Sequence, residues 1–320
     1  MAGRDLVKPP RLRPGARVAL IAPSAVLLER DDLARGVELC RALGFVPVLG
    51  RHAGARHGYL AGTDDERLAD LNAALGDDTV DAVWCLQGGF GTTRILDRVD
   101  FAAIRRRPKP VIGYSDITAL VNAIALEAGV IAFHGPFACD PFSAFTRRHF
   151  ERVLCVAEPP GTGERPVASA NVLVPRHGRI LALRGGVAEG RLVGGNLTLL
   201  QALLGTPFQP DFVGAILFLE DVHEDLYRVD RMLAHLRLAG VLGGLAGVAV
   251  GRFTEMKRQT AGGALAFDEV IETYFAPLGI PAAHGFPIGH IEDQWTLPLG
   301  VRARLDADAG TLTILDAAVS

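Results

Sequence analysis

Short apolar runs alternate with helical patterns over the first 136 positions of this 320-residue chain. The runs read RVALIAPS, FVPVLG, DAVWCLQGG, PVIGYS and VIAFHGP. Between them, apolar residues recur every three or four positions, which predicts helices over Leu33–Leu43 and Glu66–Leu75, another before the fourth run, and one that begins at Ser115. Such alternation is typical of an open parallel sheet covered by helices. We therefore expect an N-terminal α/β domain of the Rossmann-like or flavodoxin-like class.

The pattern changes after residue 156. The segment AEPPGTGERPVASA, at 157–170, is rich in proline and glycine and has no apolar period, so it is a candidate linker. We expect an N-terminal domain at 1–156 and a C-terminal domain at 171–320. The second domain has a more mixed pattern, with strands AILFLE and GVAVGRF, a helix over Tyr227–Arg237 and a closing strand pair in VRARLDA and GTLTILD. This predicts a mixed α/β domain.

Composition narrows the class of protein. With 49% hydrophobic residues the chain is expected to bury a large core, and its net charge of −3 is spread without a long basic tract, which disfavours nucleic acid as a partner. The N-terminus lacks the apolar region of a signal peptide, and no later stretch is apolar for long enough to span a membrane. The four cysteines are far apart and form no C-x-x-C pair. We expect a cytoplasmic protein without a disulfide framework, a zinc site or a membrane partner.

Ser115 stands where the apolar run VIGY gives way to a helical pattern at Ile117–Ile124. A serine on such a turn lies at a helix N-terminus, where free N–H groups favour negative charge. One interpretation is that Ser115 and Asp116 cap the helix. The other is that the turn exposes Ser115 as a nucleophile, although the Gly-x-Ser-x-Gly elbow is incomplete because Ile117 replaces its second glycine. This segment alone leaves both interpretations open.

Two further strand ends are predicted to lie beside Ser115, because the carboxyl ends of parallel strands meet at one edge of a sheet. They are PS at 23–24 and QGGFG at 87–91. The glycines leave backbone N–H groups uncovered, which can serve as oxyanion donors, although a glycine turn can equally pack against the next helix. The segment is no dinucleotide fingerprint, because Arg94 stands where the third glycine is required.

A serine nucleophile needs a base, and lysine is disfavoured because the chain has only three. Histidine remains, and His290 in PIGHIEDQWTLPLG is the most suggestive candidate because it follows an apolar strand and a glycine. The carboxylate that would orient the imidazole could be Glu220, at the end of AILFLE, with Asp221 as its immediate rival.

An ordered series of segments covers nearly the whole chain: GARVALIAPS, YLAGTDDERLADL, DAVWCLQGGFGTTR, KPVIGYSDITAL, FHGP, EGRLVGGNLTLL, LFLEDVHEDLYRVDRML and IGHIEDQWTLPLG. In this series the chain resembles the LD-carboxypeptidases, a family of serine peptidases that includes murein tetrapeptide carboxypeptidases and microcin-immunity peptidases. The resemblance covers the serine, carboxylate and histidine segments discussed above. It implies Ser115 as nucleophile, Glu220 as acid and His290 as base, with oxyanion donors from the backbone N–H groups of Gly89 and Asp116. It also implies a homodimer.

The resemblance implies hydrolysis of the L,D-peptide bond before a C-terminal D-amino acid of a muropeptide, in peptidoglycan recycling, without metal or cofactor. With Ser115 in one domain and its partners in the other, we expect the site in the cleft between them. A carboxypeptidase must hold a terminal carboxylate, and Arg94 is a candidate, with a surface or interdomain ion pair as its alternative. Trp295 is a candidate wall of the substrate pocket that could equally pack the interface.

Two other functions stay open. A microcin-immunity type peptidase would cleave a peptidyl or aminoacyl nucleotide, but the short connection expected between Val187 and Gly195 leaves little room for a loop that stacks on a nucleobase. We therefore favour the muropeptide. From another class, the chain could be a non-catalytic ligand-binding α/β protein in which Ser115 only caps a helix.

Overall fold

The computed structural model describes residues 6–165, 179–256 and 265–320. The α-helices in these ranges are α1 (Asp32–Ala42), α2 (Asp64–Gly76), α3 (Phe101–Arg106), α4 (Thr118–Ala123), α5 (Ala144–Leu154), α6 (Leu197–Leu203), α7 (Leu226–Leu238) and α8 (Phe267–Phe275). The strands are β1 (Arg17–Ile21), β2 (Val46–Leu49), β3 (Ala82–Cys85), β4 (Val111–Gly113), β5 (Phe133–His134), β6 (Gly161–Thr162), β7 (Leu181–Arg184), β8 (Val187–Asn196), β9 (Ala215–Val222), β10 (Gly247–Thr254), β11 (Ala282–His284), β12 (Leu297–Pro298), β13 (Arg302–Asp306) and β14 (Thr311–Ile314).

The first sheet has the order β12-β5-β4-β3-β1-β2. Strands β1 to β5 run parallel, and β12 alone is antiparallel to its neighbour. The predicted parallel α/β sheet is therefore confirmed, and helices α1 and α2 lie within two residues of their predicted bounds. Because the strands are parallel, the turns after β1, β3 and β4 all emerge at one edge of the sheet.

The second sheet has the order β6-β14-β13-β8-β9-β10-β11-β7. A parallel block from β8 to β11 is flanked on both sides by antiparallel strands, which is the mixed α/β arrangement that the sequence predicted. The predicted strands AILFLE and GVAVGRF are β9 and β10 at its centre. Helices α6, α7 and α8 supply buried residues to the apolar cluster on one face of this block.

Strands cross the expected border between the two halves. Strand β6, inside the candidate linker, pairs with β14 near the end of the chain. Strand β12, from the second half, completes the first sheet beside β5. The last part of the candidate linker, 166–170, lies outside the described residues. The division into 1–156 and 171–320 stays a prediction.

The helical segment after Ser115 is more buried than its sequence pattern indicates. It begins as a 3₁₀ turn over Ser115–Ile117, continues as α4 and ends in a π-helical turn over Ile124–Ala128. Every residue of α4 is buried, because the second sheet covers the side that the first sheet leaves open. The N–H of Asn196 donates to Thr118 Oγ1 over 3.0 Å across this boundary.

One expectation about the second half is wrong. A short connection was expected between Val187 and Gly195, and instead these residues belong to the ten-residue strand β8, which lies next to β9. The segment reads VAEGRLVGGN, and its glycines hide the strand pattern. Because β8 pairs with β13 on one side and with β9 on the other, this stretch carries no inserted loop that could stack on a nucleobase.

Candidate active site

Ser115 lies on the turn directly after β4, with a φ of +53°. Non-glycine residues seldom adopt this left-handed region, and it is held only where the surrounding structure enforces it, as at the exposed serine of a nucleophile elbow. Neither Ser115 nor Asp116 uses its side chain as a helix cap: the Asp116 carboxylate instead accepts hydrogen bonds from Ser24 and Thr92. This geometry does not match the capping interpretation.

Glu220 and His290 meet across the second half of the chain. The imidazole Nδ1 of His290 lies 2.7 Å from Oε2 of Glu220, whose side chain is 0% exposed. Alternate residues of β9 face opposite sides, and Ile216 and Phe218 pack in the core shared with the first sheet, so Glu220 faces the same way. A Cβ at Gly289 would lie 2.8 Å from Glu220, and this close approach requires glycine.

Asp221 faces the other side of the sheet and performs a different task. It accepts hydrogen bonds from the Asn196 side chain, from the N–H and hydroxyl of Thr198, and from its neighbour Val222. Burial and the charge of the adjacent Glu220 together raise the pKa of Asp221 to about 6, although its hydrogen bonds act in the opposite direction. Asp221 thus fixes the start of α6 and makes no hydrogen bond to His290.

Tyr114 provides the contact between the serine turn and His290. The Tyr114 and His290 rings pack with their centroids 4.8 Å apart, which brings the turn after β4 to the imidazole. The Ser115 hydroxyl has no hydrogen-bond partner within residues 6–165, 179–256 and 265–320. Catalytic hydrogen bonds are often long before substrate binds. With Nδ1 engaged by Glu220, Nε2 is the nitrogen left for Ser115.

The glycine turn after β3 lies against Ser115. A Cβ at Gly88 would lie 3.0 Å from Cβ of Ser115. Gly89 has a φ of +103°, and a Cβ there would lie 2.5 Å from that of Ala25, so this position excludes a side chain. Across the described ranges, neither the N–H of Gly89 nor that of Asp116 has a hydrogen-bond acceptor, as expected of donors that hold an oxyanion.

Burial and charge tune the ionisable groups around the imidazole. Burial alone would lower the pKa of His290, but the hydrogen bond and charge of Glu220 outweigh it, and the net pKa is raised. Burial raises the pKa of Asp140 to about 6. Burial also raises the pKa of Tyr114 well above its usual value, and the charges of Asp140 and Glu220 add to this effect. Burial lowers the pKa of His134 to about 4. The pair that would carry the proton is thus a histidine with enhanced basicity and its carboxylate.

The two candidate substrate-binding residues are engaged in contacts with other residues of the chain. Arg94 forms a bidentate ion pair with Asp64 of α2, so its structure matches the ion-pair alternative. Trp295 is 2% exposed, and its indole N–H donates to the Glu164 carbonyl over 2.9 Å. Its ring packs beside His149 and Phe286, which matches the packing alternative and leaves no face for a substrate.

Sequence reasoning gave no role to four residues that shape this site. Ser24, Thr92, Tyr114 and Asp140 all follow strands of the first sheet at the edge that carries Ser115. Their position at strand ends was the available signal, but their contacts depend on how the strands are ordered in the sheet.

Within the described ranges, no group of three or more His, Cys, Asp or Glu side chains is arranged to hold a metal ion.

Comparison with known proteins assigns the family. Residues 18–135 match the model of the LD-carboxypeptidase N-terminal domain, and residues 189–305 match that of the LD-carboxypeptidase C-terminal domain. This chain belongs to the LD-carboxypeptidase family. It is therefore a hydrolase of the carboxypeptidase class, and the non-catalytic alternative is set aside.

Individual known proteins resemble the chain over nearly its whole length. A probable murein peptide carboxypeptidase of Bacillus subtilis is 39% identical over 98% of this chain and 95% of that protein. The crystal structure of muramoyltetrapeptide carboxypeptidase from Oxalobacter formigenes superposes with a TM-score of 0.81, at 33% identity over 94% of this chain and 99% of the other. The microcin C7 self-immunity protein MccF, in complex with aspartyl sulfamoyl adenosine, superposes with a TM-score of 0.87, at 27% identity over 98% of this chain and 100% of the other.

Proposed function

We propose that this LD-carboxypeptidase hydrolyses the L,D-peptide bond before the C-terminal D-alanine of muropeptide tetrapeptides, with Ser115, His290 and Glu220 as its triad. One observation carries the proposal: the buried Glu220 carboxylate lies 2.7 Å from Nδ1 of His290, whose ring packs on the turn that presents Ser115. A carboxylate in this position holds the imidazole tautomer whose Nε2 accepts a proton, and it stabilises the imidazolium that forms.

In the first step, Ser115 Oγ attacks the carbonyl carbon of the penultimate residue, and His290 Nε2 takes the hydroxyl proton. The carbonyl oxygen becomes an oxyanion between the N–H groups of Gly89 and Asp116. The C–N bond then breaks, and His290 gives its proton to the nitrogen of the departing D-amino acid. Water hydrolyses the acyl-enzyme by the same proton transfers in reverse, which restores Ser115.

The muropeptide is favoured over a peptidyl nucleotide by similarity. The murein peptide carboxypeptidase of Bacillus subtilis is 39% identical to this chain, whereas the MccF structure that holds aspartyl sulfamoyl adenosine is 27% identical. That complex keeps the second candidate open, since its fold is equally close. A cytoplasmic role in peptidoglycan recycling and a homodimer are part of the proposal, and the family resemblance supports them. No helix in the described ranges is long and apolar enough to cross a membrane.

The test is release of D-alanine from an L-Ala-γ-D-Glu-diaminopimelate-D-Ala tetrapeptide, followed by chromatography. Wild type is expected to release D-alanine, and Ser115→Ala is expected to lose at least about 10³-fold in kcat with an unchanged unfolding temperature. Ser320→Ala, at the far end of the chain, is the matched control. Retained turnover in Ser115→Ala would reject the nucleophile. Turnover of aspartyl sulfamoyl adenosine but not of the tetrapeptide would establish the second candidate.

A further inference from the structure

The Asp116 side chain joins three separate turns at the edge of the first sheet. Its Oδ2 accepts a hydrogen bond from Ser24 Oγ over 2.5 Å and another from the N–H of Thr92 over 2.8 Å. Ser24 follows β1, Thr92 follows β3 and Asp116 follows β4. All three residues are buried, so water does not compete for these bonds.

These bonds hold the glycine turn at both of its ends. On one side, the N–H of Ala25 donates to the Gly88 carbonyl over 3.0 Å, and Ala25 directly follows Ser24. On the other side, Thr92 begins the 3₁₀ turn that follows Gly91. The N–H of Gly89 lies between these two anchors. Its position relative to Ser115 is therefore set by Asp116, which is the next residue after the nucleophile.

We propose that the Asp116 carboxylate is a positioning residue, which with Ser24 fixes the Gly89 N–H at the distance that stabilises the oxyanion. The inference rests on the proposed function, because it presumes a tetrahedral intermediate at Ser115. The contribution is geometric rather than electrostatic, since a negative carboxylate would repel a developing oxyanion. Asparagine, which keeps an acceptor oxygen and removes the charge, should therefore replace aspartate better than alanine does.

The experiment compares Asp116→Ala, Asp116→Asn and Ser24→Ala with wild type. Asp100→Ala is the matched control, because Asp100 also accepts a backbone N–H, that of Ala103, at the start of α3. Two rates are measured: turnover of the tetrapeptide, separated into kcat and KM, and modification of Ser115 by a fluorophosphonate, followed by intact mass. In the second reaction the Oγ–P bond forms, fluoride leaves and His290 takes the hydroxyl proton, so it tests the oxyanion donors without the natural substrate.

Asp116→Ala is expected to lose about 100-fold in kcat and a similar factor in the phosphonylation rate, with KM changed by less than about threefold. Asp116→Asn should recover to within about tenfold of wild type, Ser24→Ala should lose about tenfold, and Asp100→Ala should match wild type. A merely structural role would lower the folded fraction, which reduces the apparent kcat and the final extent of phosphonylation in proportion but leaves the phosphonylation rate constant of the folded molecules at the wild-type value.

Phosphonylation of folded Asp116→Ala at the wild-type rate would overturn the proposal, and so would an asparagine variant as slow as the alanine variant. Should Asp116→Ala fail to fold, Ser24→Ala decides, since wild-type rates in that variant also overturn it. If wild type is phosphonylated but releases no D-alanine, the proposed substrate is wrong and the phosphonylation rates still test Asp116. If wild type undergoes neither reaction, the nucleophile and the role of Asp116 are rejected together.

Discussion

Thr118 and Asn196 join the two sheets immediately behind the nucleophile. Thr118 lies three residues after Ser115, and its hydroxyl accepts the backbone N–H of Asn196, which pairs in register with Glu220. The helix after the serine turn is thus bonded to β8, the neighbour of the strand that carries Glu220. The Asn122 side chain adds a second buried hydrogen bond, to the Gly194 carbonyl over 3.0 Å. These two contacts help to hold the two halves of the site together.

Thr118→Val should therefore lower both stability and activity. The substitution keeps the shape of the side chain and leaves the Asn196 N–H buried without an acceptor, which costs about 1–3 kcal/mol in the free energy of unfolding. Urea denaturation measures the loss. Thr162→Val is the control, because the Thr162 hydroxyl makes an exposed contact with Thr313. Equal stability of the two variants would mean that the contact does not hold the halves together.

Glu220→Gln and Asp221→Asn should produce opposite defects. Glu220→Gln removes the carboxylate from His290 and is expected to reduce kcat/KM by about 10²–10⁴-fold with little change in unfolding temperature. Asp221→Asn disturbs the start of α6 and is expected to lower the free energy of unfolding by about 1–3 kcal/mol, with kcat/KM within about tenfold of wild type. If Asp221→Asn were the inactive variant and Glu220→Gln the active one, the acid would be Asp221.

The pH dependence of kcat/KM should report the environment of His290. A general base works only when neutral, so activity should rise with pH through the pKa of the free enzyme. Because Glu220 outweighs burial and raises the pKa of His290, the midpoint should lie above the ordinary histidine value of 6.5. In the residual activity of Glu220→Gln the midpoint should move to lower pH. If the midpoint did not move, Glu220 would not be the residue that raises the pKa of the titrating group.

His134 should make the fold less stable in acid. Its ring is fully buried between Tyr114 and Phe218, and burial lowers its pKa to about 4, while the unfolded chain keeps the ordinary value of 6.5. Between these values the unfolded state binds a proton that the folded state does not, so the free energy of unfolding falls as pH falls, by about 3 kcal/mol over the whole window.

His134→Phe should flatten that dependence between pH 4 and 6.5, as measured by urea denaturation at a series of pH values. His223→Gln, which removes an exposed histidine, is the matched control. An identical slope in wild type and His134→Phe would show that other groups produce the acid sensitivity.

Arg94→Gln should leave KM for the tetrapeptide within about twofold of wild type, because Asp64 already engages the guanidinium in two hydrogen bonds. The pair is partly exposed, with 45% of the Arg94 side chain accessible, so its loss should change stability little. Initial-rate kinetics provide the check. A tenfold rise in KM would return Arg94 to the substrate site.

The parts of the fold that depend on local pattern could be predicted from the sequence. The parallel strands, the helices α1 and α2 and the turn at Ser115 each follow from the period of apolar residues over a few positions. Strand β8 could not be predicted from the apolar period, because its glycines interrupt the apolar pattern. The burial of α4 on all sides could not be predicted in this way either, because one of its sides is covered by β8, a strand far along the chain.

The site could be predicted only in part for the same reason. Glu220 and His290 are 70 positions apart, and their contact is a property of how the second sheet packs rather than of either segment. The motif resemblance selected both residues, but no local pattern separates Glu220 from Asp221. That choice requires knowing which face of β9 each side chain occupies, and the packing of Ile216 and Phe218 supplies it.

Strand β12 has a consequence for synthesis of the protein. The first sheet is missing this edge strand until Leu297 and Pro298, which come far later in the chain than their partners His134 and Phe133, have emerged from the ribosome. Until then His134 and Phe133 lie on an uncovered edge, which is open to pairing with another nascent chain. A fragment that ends at the candidate linker would keep this edge permanently, so separate expression of the front half should yield aggregation rather than an autonomous fold.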